Sequence, residues 1–180
     1  MDKNIGHMRF GEKEKMSHPR DQKTKAVFAL VITSDSRTEK EDETGKIATE
    51  LITSEGHQIA FHTILPNNIK AIQAQVRRLL EDSTIHVIIT SGGTGLSVRD
   101  KTIEAVKPIF EKDMPGFGET FRRLSFEEVG GSALLSRAIA GVVRGKVIYC
   151  LPGSKNAMSL ALNKLILPNI GHTLWELNRA

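Results

Sequence analysis

Between Lys25 and Thr90, short runs of β-branched and apolar residues alternate with segments of helical hydrophobic spacing. This alternation restricts the chain more than any other feature. The run KAVFALVI (25–32) is apolar without a break, as a strand covered on both faces must be. After the polar loop TSDSRTEKED, Thr44 is in place to cap a helix carrying Ile47, Ala48, Leu51 and Ile52 on one side, which Gly56 ends. Gln58 to Leu65 reads as a second strand, stopped by Pro66. Asn67 or Asn68 then starts a helix with Ile69, Ile72, Val76, Leu79 and Leu80 on one face, and IHVIIT (85–90) is a third strand. Such an order predicts an α/β fold of three layers, a mostly parallel sheet with helices on both faces.

Beyond Asp100 the pattern shortens, with breaks expected at Pro108, Pro115 and Gly130–Gly131. RAIAGVV and KVIYCLP flank Arg144–Gly145 as two strands around a tight turn. A helix follows from about Ser154, with Ala157, Leu160, Ala161 and Leu165 inward, and another after Pro168 carries Leu174, Trp175 and Leu177. Residues 1–24 show neither periodicity and read as a flexible N-terminal arm, leaving 25–180 as one domain. His7 and His18 in that arm read as solvated.

Composition narrows the function. Of the net charge of +4, residues 1–25 supply +3, so the body is nearly neutral. Aromatics are 5%. A nucleic-acid-binding face would interleave basic and aromatic residues on the folded surface, and this chain is not expected to bind nucleic acid. Its apolar runs are too short to span a membrane, and the first fifteen residues lack the apolar stretch of a secretory signal. A cytoplasmic protein is expected. Cys150 is the only cysteine, which excludes an internal disulfide. It lies in an apolar strand and reads as a small buried residue. His57, His62, His86 and His172 show no metal-ligand spacing and read as structural.

In an open parallel sheet, ligands bind beyond the carboxyl ends of the strands. The segments placed there are Thr33, Ser34, Asp35 and Ser36; Pro66, Asn67 and Asn68; Ser91, Gly92, Gly93, Thr94 and Gly95 with Asp100 a turn later; and Pro152, Gly153 and Ser154. Hydroxyls, amides, glycines and carboxylates suit a polar, phosphorylated ligand. The SGGTG loop is neither a Walker A loop, lacking Gly-Lys-Ser/Thr, nor a dinucleotide fingerprint, since Val98 stands where a third glycine is needed. Three glycines in four residues point to backbone amides turned toward phosphate, against the plainer reading of a tight turn. Asp100 either caps a helix at Thr102 or holds Mg²⁺ against ligand phosphates, and Asp35 is open to the same two readings. Glu119 and Arg122 are spaced for an ion pair. Ser136 and Arg137 open a strand, where the guanidinium either meets a phosphate or is solvated.

Taken together, ALVITSDSR, DETG, ITSGGTGLSVRD, MPGFGETFRRLSFEEVG, LLSRAIAGV and LPGS occur in an order that closely resembles the MoaB/MogA family of molybdenum cofactor biosynthesis proteins. The stretch FRRLSFEEVGGSALLSRAIAGV is most similar to the MoaB branch. The resemblance implies a molybdopterin-binding domain that assembles as a homotrimer or a hexamer. It also implies transfer of AMP from Mg-ATP to the phosphate of molybdopterin, with release of pyrophosphate. By position, Gly92, Gly93, Thr94 and Gly95 would line the pterin phosphate and nucleotide site, and Asp100 matches an aspartate required in active members. Ser34, Asp35, Ser136, Arg137, Gly153 and Ser154 would line the same pocket. One departure stands out: active members commonly carry aspartate after the second strand, where this chain has Leu65-Pro66-Asn67. Asparagine keeps the shape and loses the charge that helps hold Mg²⁺. The alternative function is therefore a non-catalytic molybdopterin-binding or carrier protein, with a nucleotide-binding regulator as a remoter one.

Overall fold

The computed structural model describes residues 24–36, 38 and 41–179. The arm expected over 1–24, with its two histidines, lies outside them apart from Thr24.

Six strands form one sheet: β1 Val27–Thr33, β2 Gln58–Leu65, β3 Val87–Ser91, β4 Lys112–Asp113, β5 Ile139–Val143 and β6 Lys146–Leu151. Their order is β2-β1-β3-β6-β5-β4. The four strands β2, β1, β3 and β6 pair in parallel, while β5 runs antiparallel to both β6 and β4. The helices are α1 Glu43–Ser54, α2 Ile69–Glu81, α3 Thr102–Val106, α4 Pro115–Val129, α5 Lys155–Ala161 and α6 Ile170–Asn178.

Alternation along β1 shows why its run is apolar throughout. Phe28 and Leu30 face a core built with α1, α4, α5 and α6, whereas Ala29 and Val31 face a second core built with α2 and α3. A fully buried strand has no solvated side on which to place polar residues. The three-layer α/β fold expected from the sequence is the one observed.

Several local expectations change. Asp42, not Thr44, caps α1: its carboxylate accepts from Gly45 N at 2.8 Å, and its other oxygen lies 2.8 Å from His62 Nε2. Thr44 is instead buried in the first turn, and its hydroxyl donates to Gly153 O. Pro115 begins α4 rather than breaking a helix, since the first helical position needs no N–H. Ile69 is 37% exposed because it opens α2 beyond the sheet edge. The two-residue β4 carries no hydrophobic alternation and had no signal to read. The helix from Ser154 runs on through a π segment, Leu162–Ile166, and a 3₁₀ turn into α6.

His57 and His86 hold the start of β1. Nδ1 of His57 accepts from Ala26 N at 3.2 Å, and Nδ1 of His86 accepts from Val27 N at 3.0 Å. Burial lowers the pKa of both rings. Cys150 is fully buried, and desolvation pushes its thiol up to about 12, so it is inert as a nucleophile.

Candidate functional site

The chain leaves β1 for β2 on one side and returns for β3 on the other, so the strand order reverses at β1. The crevice at such a reversal is where open sheets bind ligands. Four loops meet there.

The loop after β3 is shaped by its own neighbours. Gly92 has φ +99° and Gly93 φ +62°. A β-carbon would lie 2.2 Å from Thr33 O at the first and 2.1 Å from Asn67 Oδ1 at the second. The loop is fastened by Gly92 N donating to Leu151 O, by Thr102 N donating to Gly93 O, and by the Thr102 hydroxyl donating to Gly92 O. Both glycines are thus required by close packing whether or not an anion is bound.

Asp100 does not cap α3. The N-cap position belongs to Lys101, which makes no side-chain cap bond. Asp100 Oδ2 instead accepts from Ser97 N at 3.0 Å and closes the turn Ser97–Asp100, while Oδ1 takes no partner among the described residues. Asp35 joins two loops: its Oδ1 accepts from Asn67 N at 2.8 Å.

Arg137 lines neither cavity of the crevice, and its half-buried guanidinium is taken up by protein partners. Its Nε donates to Thr94 O at 3.1 Å and its two terminal nitrogens take both oxygens of Glu104, at 2.5 and 3.3 Å. This bidentate pair fastens the glycine loop to α3 and holds the Glu104 carboxyl below its ordinary value. Arg122 likewise turns away from Glu119 and donates to Ala138 O.

Two cavities open onto this crevice. One, of about 430 Å³, has Gly92, Gly93, Thr94 and Gly95 on one wall and Ser136 on another, under a cover of Phe121, Val129, Ala133 and Leu135. The other, of about 570 Å³, is lined by Ser34, Asp35, Asn67, Ser97 and Arg99. Asp100, Gly153 and Ser154 line both. Of the residues placed at the site from sequence, all line one of these cavities except Arg137, Pro66, Asn68, which caps α2, and Ser91, whose hydroxyl donates to Pro152 O. Arg99, Phe121 and Asn156 were not anticipated; the first stands beside Asp100 in the chain, and the others are lining residues only because α4 and α5 fold over the loop.

Residues 29–172 match the family described as "Probable molybdopterin binding domain". The chain is 43% identical over 160 residues to molybdenum cofactor biosynthesis protein B of Bacillus cereus, covering 88% of this chain and 95% of that protein. The chain belongs to the MoaB/MogA family. The Staphylococcus aureus (strain COL) relative of the same name is 45% identical over 166 residues, covering 90% of this chain and 98% of that one. A crystal structure of a molybdenum cofactor biosynthesis protein B superposes with a TM-score of 0.85 at 41% identity, over 88% of this chain and 99% of that one. The MoaB from Pyrococcus furiosus, described as tungsten cofactor synthesizing, gives 0.77 at 33%, over 85% and 97%. The chain is thus a molybdenum cofactor biosynthesis protein with a molybdopterin-binding domain.

Among the described residues no group of three or more His, Cys, Asp or Glu side chains could hold a metal by itself. Magnesium needs less, one or two carboxylates with the remaining positions taken by water and substrate phosphate. Asp35 and Asp100 both line the larger cavity, and either carboxylate could serve as such a ligand.

Proposed function

We propose that the chain adenylylates molybdopterin. The cavity covered by Phe121 and Leu135 suits a flat heterocycle, and the neighbouring cavity of hydroxyls, carboxylates and Arg99 suits a nucleotide polyphosphate. The observation that carries the reading is the shared wall: Asp100, Gly153 and Ser154 border both cavities, so the phosphates of two ligands would meet beside one carboxylate.

In the reaction, an oxygen of the pterin phosphate forms a bond to the α-phosphorus of ATP. The bond from that phosphorus to the bridging oxygen breaks, and pyrophosphate leaves with the electron pair. The residues contribute position and charge. Backbone amides of Gly93 and Thr94 and the hydroxyls of Ser34 and Ser154 would orient phosphate oxygens. Asp100 and Asp35 would hold Mg²⁺, which supplies charge stabilisation at the departing pyrophosphate.

The carrier reading rests on Asn67, which removes one carboxylate from the site. Incubating the protein with molybdopterin, ATP and Mg²⁺ and chromatographing the pterins separates the two. Adenylylated molybdopterin is expected; molybdopterin retained unmodified on the protein would establish the carrier.

A further inference from the structure

Asn67 is the residue whose surroundings least fit a metal ligand. Its Oδ1 is buried and unpartnered, pressed against the loop where a β-carbon on Gly93 would be 2.1 Å away. The hydroxyl beside that spot, that of Thr102, is already committed, since it donates to Gly92 O and lies 3.0 Å from the Thr33 hydroxyl, which itself donates to Ser91 O at 3.2 Å. A buried amide oxygen without a full hydrogen bond is costly, and the Gly93 Cα–H offers only a weak one. The position is nevertheless fixed by the bond from Asn67 N to Asp35.

With Oδ1 turned into the protein, the other end of the amide is what remains for the ligand. Nδ2 makes no hydrogen bond among the described residues and is not buried, and Asn67 lines the larger cavity. An –NH₂ group donates and cannot coordinate a cation.

We infer that Asn67 is an anion-binding residue, whose side-chain –NH₂ donates to a phosphate oxygen of the nucleotide and makes nucleotide binding less dependent on Mg²⁺ than a carboxylate at this position would. The inference rests on the nucleotide reading of the larger cavity. A carboxylate in the same place would repel a bare polyphosphate and need a cation to bridge it. Asparagine attracts the phosphate directly and leaves Mg²⁺ to Asp100 and Asp35.

The test is calorimetric titration with ATP, in EDTA and in Mg²⁺, of the native chain, Asn67→Ala and Asn67→Asp, with molybdopterin binding measured in parallel. Native protein is expected to bind ATP in both buffers. Asn67→Ala, which leaves no buried orphan and folds without strain at Gly93, should bind about tenfold more weakly in both, the worth of one hydrogen bond to a charged group. Asn67→Asp should lose more than Ala in EDTA and recover in Mg²⁺. Molybdopterin affinity should stay within about twofold. Variants that bind ATP as tightly as native protein in EDTA would overturn the role of Asn67 and leave the nucleotide reading standing. A loss confined to molybdopterin would move the residue to the pterin phosphate and overturn the inference. A native chain that binds molybdopterin but not ATP in either buffer would overturn the nucleotide reading and this inference with it.

Discussion

At the scale of single residues, Asp100 and Gly93 separate function from fold. Asp100 holds a turn through one oxygen that an amide oxygen could replace. Asp100→Asn should therefore keep its melting temperature within a few degrees and lose Mg²⁺-dependent turnover. A variant that melts far lower yet keeps its activity per folded molecule would make Asp100 structural only. Gly93 behaves otherwise. At φ +62°, with a β-carbon contact of 2.1 Å to Asn67, even alanine is strained. Gly93→Ala should cost about 1–3 kcal/mol of stability in denaturant titration, in addition to weakening ligand. The sequence suggested that these glycines serve a phosphate, but the packing against Asn67 and Thr33 is a reason of its own that no spacing could reveal. Loss of ligand binding with stability unchanged would show that the strain is relieved by movement of the loop.

At the scale of elements, the inner parallel strands β1, β3 and β6 were legible because burial on both faces leaves continuous apolar runs, and the edge strand β2, exposed in alternation, was read from Gln58 to Leu65, the bounds it has. Caps and pairings were not legible. Asp42 outcompetes Thr44 because His62, from the edge strand, supports it across twenty residues. Arg137 finds Glu104 across thirty-three, at a distance no local pattern encodes. The start of β1 yields a pH prediction. His57 and His86 accept backbone hydrogen bonds through unprotonated nitrogens, and burial holds both below their ordinary value of 6.5. In that range the unfolded chain binds more protons than the folded one. Their contribution is therefore complete above pH 6.5 and is lost as pH falls through the lowered pKa values. The melting temperature should drop between pH 7.5 and 5, and His86→Gln should flatten that drop. An unchanged slope in the variant would mean that other groups carry the effect.

At the scale of the whole molecule, the site was legible as four loops at one sheet edge, but its division into two cavities was not, because α4 and α5 make the roof. The chain's outer surface bears on assembly. The apolar side of α6 is spent internally: Ile170 and Leu174 are buried, and Leu177 packs on the same core. Phe126, Leu134 and Leu135 are exposed instead, at 56%, 80% and 59%, and Leu135 also lines the smaller cavity. An apolar surface of that kind favours association, and we expect the trimer or hexamer that the family resemblance implies. Light scattering should give a mass three or six times that of the chain at all concentrations; a constant monomer mass would refute it.

The claim that matters most is transfer of AMP, and the label in ATP tests it directly. The native chain is given molybdopterin and Mg²⁺ with ATP labelled at the α-phosphorus in one reaction and at the γ-phosphorus in another. Label from the α position should appear on the pterin, with γ label leaving in pyrophosphate. Label on the pterin from the γ position, or from neither, would contradict the account.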